Sequence, residues 1–131
     1  MTDEELAAHL AEEAGRLLLE QRHSALPEGA ALGAVADRVA NAFILAGLAQ
    51  WRPDDAILSE ESFDDRRRLD RQRVWIVDPL DGTREYGEGR DDWAVHVALW
   101  ERGVLTAGAV ALPGSARSRC RRLAGCTART G

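Results

Sequence analysis

Lysine is absent from this chain: all 17 basic residues are arginine, a bias we read as one of coding and not of function. Cysteine is nearly absent. The two present, Cys120 and Cys126, lie close to the C-terminus at a spacing that matches no zinc pattern, and no histidine follows to complete one. They are expected to be free thiols in a reducing cytosol. No apolar run approaches 18 residues, so no segment reads as a membrane span. The N-terminus, Met1-Thr2-Asp3-Glu4-Glu5, is acidic where a signal peptide would be basic, so a cytoplasmic location without a membrane partner is expected. Acid is missing beyond Pro113: residues 1–113 hold all 22 acidic residues against twelve arginines, a net charge of −10, whereas 114–131 hold five arginines. An acidic body excludes general binding to nucleic-acid polymers. What remains is ordinary for a globular domain, 45% hydrophobic and 30% charged.

Thr2 and Glu5 form a capping-box signature, and Leu6, Leu10, Ala14, Leu17 and Leu18 follow at helical spacing. The pattern predicts an amphipathic helix over 3–22, with His9 and His23 as solvated surface residues. Residues 24–33, punctuated by Pro27, Gly29 and Gly33, read as a loop. A second helix over 34–50 is apolar around most of its circumference, through Val35, Val39, Phe43, Ile44, Leu45 and Leu48, and so expects cover on more than one side. Asp37 interrupts it one turn from that start, where a carboxylate gains roughly 0.3–1 kcal/mol from the helix dipole.

Chemistry concentrates in Trp75-Ile76-Val77-Asp78-Pro79-Leu80-Asp81-Gly82-Thr83. Val74 to Val77 has the character of a buried strand, and Pro79, which cannot donate to a ladder, should end the pairing at Asp78. Asp78 and Asp81, three apart across the expected turn, can converge on one point that the Leu80 carbonyl also faces. Two carboxylates about 4 Å apart repel by roughly 4 kcal/mol at an effective dielectric near 20, so the cluster calls for a cation. All-oxygen donors of this kind suit Mg²⁺. Gly82 and Thr83 offer backbone N–H groups to an anion beside it. A second strand, Ala56 to Ser59, also ends in acid, at Glu60-Glu61.

The connector from Asp64 to Arg73 mixes charges densely and reads as solvated. Trp93, Val95, Val97 and Leu99 alternate with smaller or polar residues, then Glu101-Arg102-Gly103 turns the chain into Val104 to Leu112: a β-hairpin, with His96 on a strand face and Asp91 and Asp92 as solvated strand-end acids. Residues 114–131 carry one large apolar residue, Leu123, and no periodicity, and are expected to be disordered.

Glu60-Glu61-Ser62 followed by Asp78-Pro79-Leu80-Asp81-Gly82-Thr83 resembles the signature of the inositol monophosphatase superfamily of Mg²⁺-dependent phosphatases. Arg84-Glu85-Tyr86 directly after it is similar to the CysQ branch, the 3′(2′),5′-bisphosphate nucleotidases. The resemblance covers roughly the N-terminal half of a family member, from the first helix to Leu112. It implies an α+β fold: the N-terminal half of the layered α/β sandwich of sugar and inositol phosphatases, two helices on an antiparallel sheet. Residues 1–113 would be the partial domain, and 114–131 a basic tail translated out of frame or the mark of a truncated gene. The family's later Trp-Asp motif, which completes a metal site, has no match here.

The resemblance further implies two or three Mg²⁺ ions per complete site and a small phosphate monoester as substrate, with 3′-phosphoadenosine 5′-phosphate ahead of inositol phosphates. It gives Glu60, Asp78 and the Leu80 carbonyl to one metal, Asp78 and Asp81 to a second, and Glu61 to a supporting position. Asp37, in the Ala36-Asp37 pair, and Thr83 would activate the attacking water, and the Gly82 and Thr83 amides would bind phosphate. A homodimer is compatible with it, since a sheet that stops at the hairpin leaves an edge and a face uncovered. From a different class, the chain reads as an inactive remnant or a metal-binding half-domain.

Overall fold

The computed structural model describes residues 1–24, 28–60, 71–115 and 119–122. Helix α1 runs Asp3–Ser24 and opens on the expected capping box: the Thr2 N–H donates to Glu5 Oε2 at 3.2 Å and the Glu5 N–H to Thr2 Oγ1 at 3.1 Å. Helix α2, Gly29–Trp51, begins five residues before the expected start. Ala30, Ala31 and Leu32 are good helix formers, and Gly33, read from sequence as a breaker, is instead a point of close packing. Asp37 is therefore two turns inside the helix, too deep for the dipole argument to apply.

The buried side of α2 is a single face, Leu32, Ala36, Ala40, Ile44 and Leu48, whereas Val39 is exposed. Cover on several sides is not found among the described residues. Small alanines form much of the seam, so the helices can approach closely. The helix is long and apolar enough by composition to cross a membrane, with mean hydropathy 1.4, yet its buried face packs on α1, β2 and a short helix described below. It is the central helix of a core.

Five strands form one sheet in sequence order: β1 Ala56–Ser59, β2 Arg73–Asp81, β3 Ala94–Glu101, β4 Val104–Leu112 and β5 Arg119–Arg122. The one-turn helix α3, Thr83–Gly87, lies between β2 and β3. The β3–β4 hairpin is as expected. β1 pairs with β2 in parallel, which makes the sheet mixed where an antiparallel one was anticipated. The connector between them is long enough for the crossover a parallel pair needs. Most of it, residues 61–70, lies outside the described residues, and so does the reading of that stretch as solvated.

Pro79 does not end β2. Pairing with β3 breaks after Asp78 opposite His96 and resumes at Asp81 opposite Ala94, leaving Pro79 and Leu80 in a bulge that needs no donor from the proline. Beyond Pro113, where no structure was expected, Arg119–Arg122 pairs antiparallel with β4. The β4 edge offers backbone groups that accept a strand whatever its side chains, and this outweighs the weak local propensity.

One face of the sheet, carrying Trp75, Val77, Val95, Val97, Leu99 and Ala109, is buried under α1 and α2. Arg73 closes one end of this layer by reaching Asp3 (2.9 Å), Asp55 (3.0 Å) and Glu101 (2.8 Å). At the other end Arg22 lies over the rings of Tyr86 (4.7 Å) and Trp93 (5.2 Å), which meet edge to face. The Tyr86 hydroxyl donates to the Leu18 carbonyl, so α3 is fastened to α1.

Candidate active site

Three elements bring the sequence's chemical residues to one region. α2 contributes Asp37, which is 7% exposed. α3 contributes Thr83 at its first position, held against α2 where Gly33 lies: a Cβ on Gly33 would stand 2.7 Å from Thr83 Cγ2 and 2.9 Å from its carbonyl oxygen. Asp37 and Thr83 thus line a single cleft of about 750 Å³, together with Arg38, Arg84 and Glu88. Arg84 is exposed and paired with Glu88 one turn on, at 3.0 Å.

The bulge in β2 supplies the second cluster. Thr83 Oγ1 donates to the Leu80 carbonyl at 3.2 Å, which ties the cleft to the backbone between the two aspartates. Gly82, at the junction, has φ +95°, and a Cβ there would meet Asp92 and Trp93 at 3.1–3.2 Å, so only glycine fits this turn. Glu60 follows β1 directly, and its N–H donates to the Val77 carbonyl, next to Asp78. Burial, then the nearby charges of Glu60 and Asp81, push the Asp78 carboxyl above the ordinary carboxylate value, with His96 and the Leu80 N–H partly opposing them.

Asp81 is turned toward His96, its Oδ2 3.1 Å from Nε2. Sequence reasoning placed His96 on a strand face, and there it is; the contact with Asp81 was missed, because it depends on the bulge that sets the β2–β3 register. Among the described residues, no three acidic, histidine or cysteine side chains close on one point as a metal centre. The donors nonetheless suit a hard cation: they are oxygen only, and the charges of both Glu60 and Asp81 act against ionisation of Asp78. Glu61 lies outside the described residues.

The inositol monophosphatase family matches residues 3–129. A 3′-phosphoadenosine 5′-phosphate phosphatase of Mycobacterium leprae is 54% identical over 124 residues, which cover 86% of this chain and 46% of that protein. The 3′(2′),5′-bisphosphate nucleotidase CysQ of Salmonella typhimurium is 41% identical over 81 residues, covering 60% of this chain and 32% of that protein. Among solved structures, the extragenic suppressor protein suhB of Bartonella henselae superposes with a TM-score of 0.77 at 29% identity, over 93% of this chain and 48% of the other. The chain spans under half the length of the curated relatives it matches. With the fold, the Asp78-to-Thr83 motif and the sequence match all in agreement, the chain belongs to the inositol monophosphatase family.

Proposed function

We propose that this chain carries one half of the catalytic centre of a Mg²⁺-dependent phosphate monoester hydrolase acting on 3′-phosphoadenosine 5′-phosphate. The observation that carries the reading is the meeting of Asp37 and Thr83, distant in sequence, in one cleft beside the Leu80 carbonyl. Glu60, Asp78 and the Leu80 carbonyl would hold one Mg²⁺, and Asp78 and Asp81 a second, with Glu61 supporting them. Bound Mg²⁺ supplies Lewis-acid neutralisation of phosphate charge.

The residues of the chain do the positioning. Thr83 gives its own proton to the Leu80 carbonyl, so its lone pairs are left to accept from a water. Asp37, a carboxylate in the same cleft, accepts that water's other proton and aligns it for attack. The N–H groups of Gly82 and Thr83 receive the phosphate oxygens. The arginine, glutamate and tyrosine after the motif, together with the names of the two bacterial relatives, favour the nucleotide over inositol phosphates.

The test has two arms. Mg²⁺ should raise the melting temperature of the wild-type chain and leave Asp78→Asn unmoved. In its presence, phosphate release from 3′-phosphoadenosine 5′-phosphate should exceed that from inositol 1-phosphate. A wild-type chain indifferent to Mg²⁺, or a response that survives Asp78→Asn, refutes the metal assignment.

A further inference from the structure

We propose that Asn41 and Ser59 are positioning residues: their hydrogen bond ties the end of β1, directly before Glu60, to the part of α2 that carries Asp37. The inference rests on the reading of Glu60 as a Mg²⁺ ligand, and it concerns what holds that carboxylate in place.

Ser59 is the last residue of β1 and stands in register with Val77 of β2, as Ile57 does with Trp75. Cross-strand partners share a face of the sheet, so Ser59 points with Trp75 and Val77 into the layer beneath the helices. It is 4% exposed. A hydroxyl in an apolar layer costs free energy unless it is bonded, and here Ser59 Oγ donates to Asn41 Oδ1 at 2.5 Å. Asn41 follows Asp37 by four residues, so the two side chains stand on one face of α2, about 6 Å apart along its axis.

Glu60 comes next in the chain, and its own backbone is held less firmly: its N–H donates to the Val77 carbonyl at 3.4 Å, a long bond. Among the described elements β1 is an edge strand, laddered to β2 along one side. The better-formed bond one residue earlier therefore does more to fix where Glu60 leaves the strand. Stability alone gives no reason for it, because two apolar groups of the same shape can serve a fold nearly as well as a bonded polar pair. What the pair adds is direction. A hydroxyl–amide bond fixes both a length and a line, so it sets the end of β1 relative to Asp37, whereas an apolar contact can slide.

Mg²⁺ titrations of the full 131-residue chain test it, since the dependence of Tm on Mg²⁺ concentration gives the Kd. Asn41→Leu combined with Ser59→Ala replaces the pair by apolar groups of similar shape. The expected result is a Tm in chelator close to that of wild type and a Kd for Mg²⁺ raised about tenfold or more. Ser59→Ala alone should weaken Mg²⁺ binding by a similar factor, whereas Ser59→Thr, which keeps the hydroxyl, should retain the wild-type affinity. Ile44→Val removes a buried methyl group from the same helix and leaves the pair intact, so it should lower Tm without changing the Kd. A double variant that binds Mg²⁺ as tightly as wild type overturns the inference and leaves the proposed function standing. Where the double variant disturbs folding, equal affinity for Mg²⁺ in Ser59→Ala and Ser59→Thr overturns it instead. A wild-type chain indifferent to Mg²⁺ overturns both the inference and the metal assignment beneath it.

Discussion

Gly33 and Thr83 are packed so closely that a methyl group on Gly33 would stand 2.7 Å from Thr83 Cγ2. The second close atom is the Thr83 carbonyl oxygen, at 2.9 Å, so rotating the threonine side chain does not relieve the clash. Gly33→Ala is therefore expected to destabilise the chain by about 1–3 kcal/mol, although alanine is the better helix former. Urea unfolding measures this. A neutral or stabilising alanine would show that α3 moves freely on α2, and that the spacing of Asp37 and Thr83 is not set by this contact.

Asp78 is harder to ionise in the fold than in the unfolded chain, chiefly through burial and then through Glu60 and Asp81. Its ionisation therefore opposes folding. The effect is absent below the ordinary value of 3.8, grows as pH rises from there to the raised folded value, and persists in full at neutral pH. Without Mg²⁺, Asp78→Asn should be more stable than wild type at neutrality, and the difference should shrink as the solution is acidified. Thermal unfolding across pH checks it. Equal stability at all pH values would remove the argument that the site is strained by like charge.

Arg73 joins α1, the segment before β1 and the β2–β3 pair through Asp3, Asp55 and Glu101. Burial works to raise the Asp3 carboxyl, but Arg73 and Arg52 outweigh it and hold it below its ordinary value of 3.8. The stability this gives is present above that value and lost as pH falls through the depressed folded one. Arg73→Ala should cost about 2 kcal/mol at neutral pH and flatten the acid limb of the stability profile. Chemical denaturation at a series of acidic pH values reads both.

These three cases show which parts of the molecule were legible in the sequence. The capping box of Thr2 and Glu5 and the β3–β4 hairpin are written in local spacing, and the structure follows them. The candidate residues at Glu60 and from Asp78 to Thr83 stand out in the sequence for the same reason, since they sit in two short runs. Asp37 was singled out by resemblance, although its position in the helix was misjudged because Gly29 and Gly33 looked like punctuation. What local patterns cannot contain is who stands opposite whom. The parallel β1, the bulge at Pro79, the His96–Asp81 contact and the partners of Arg73 each join segments distant in the chain. Strand β5 is the extreme case: its register is specified by the edge it joins, and nothing in Arg119 to Arg122 announces a strand.

The Tyr86 hydroxyl offers a sharper test of how α3 is fixed. The ring is fully buried, and its hydroxyl donates to the Leu18 carbonyl of α1. Tyr86→Phe keeps the ring against Trp93 and Arg22 and removes only that bond, leaving a buried carbonyl lone pair behind. A loss of about 1–2 kcal/mol is expected from urea unfolding. A variant as stable as wild type would mean that ring packing alone holds the helix.

Cys120 reports on the last strand. It lies opposite Ala111 in the β4–β5 pair, and burial, followed by the nearby Glu12 carboxylate, pushes its thiol up to about 11 from 9.0. A rise of about two units lowers the thiolate fraction about a hundredfold at mildly alkaline pH, and the greater nucleophilicity of the more basic thiolate recovers only part of that. With Cys126→Ser to leave one thiol, reaction with a disulfide reagent should be about tenfold slower in the native chain than in denaturant, before any shielding by the strand is counted. If the native rate equals the denatured one, β5 is not paired in solution.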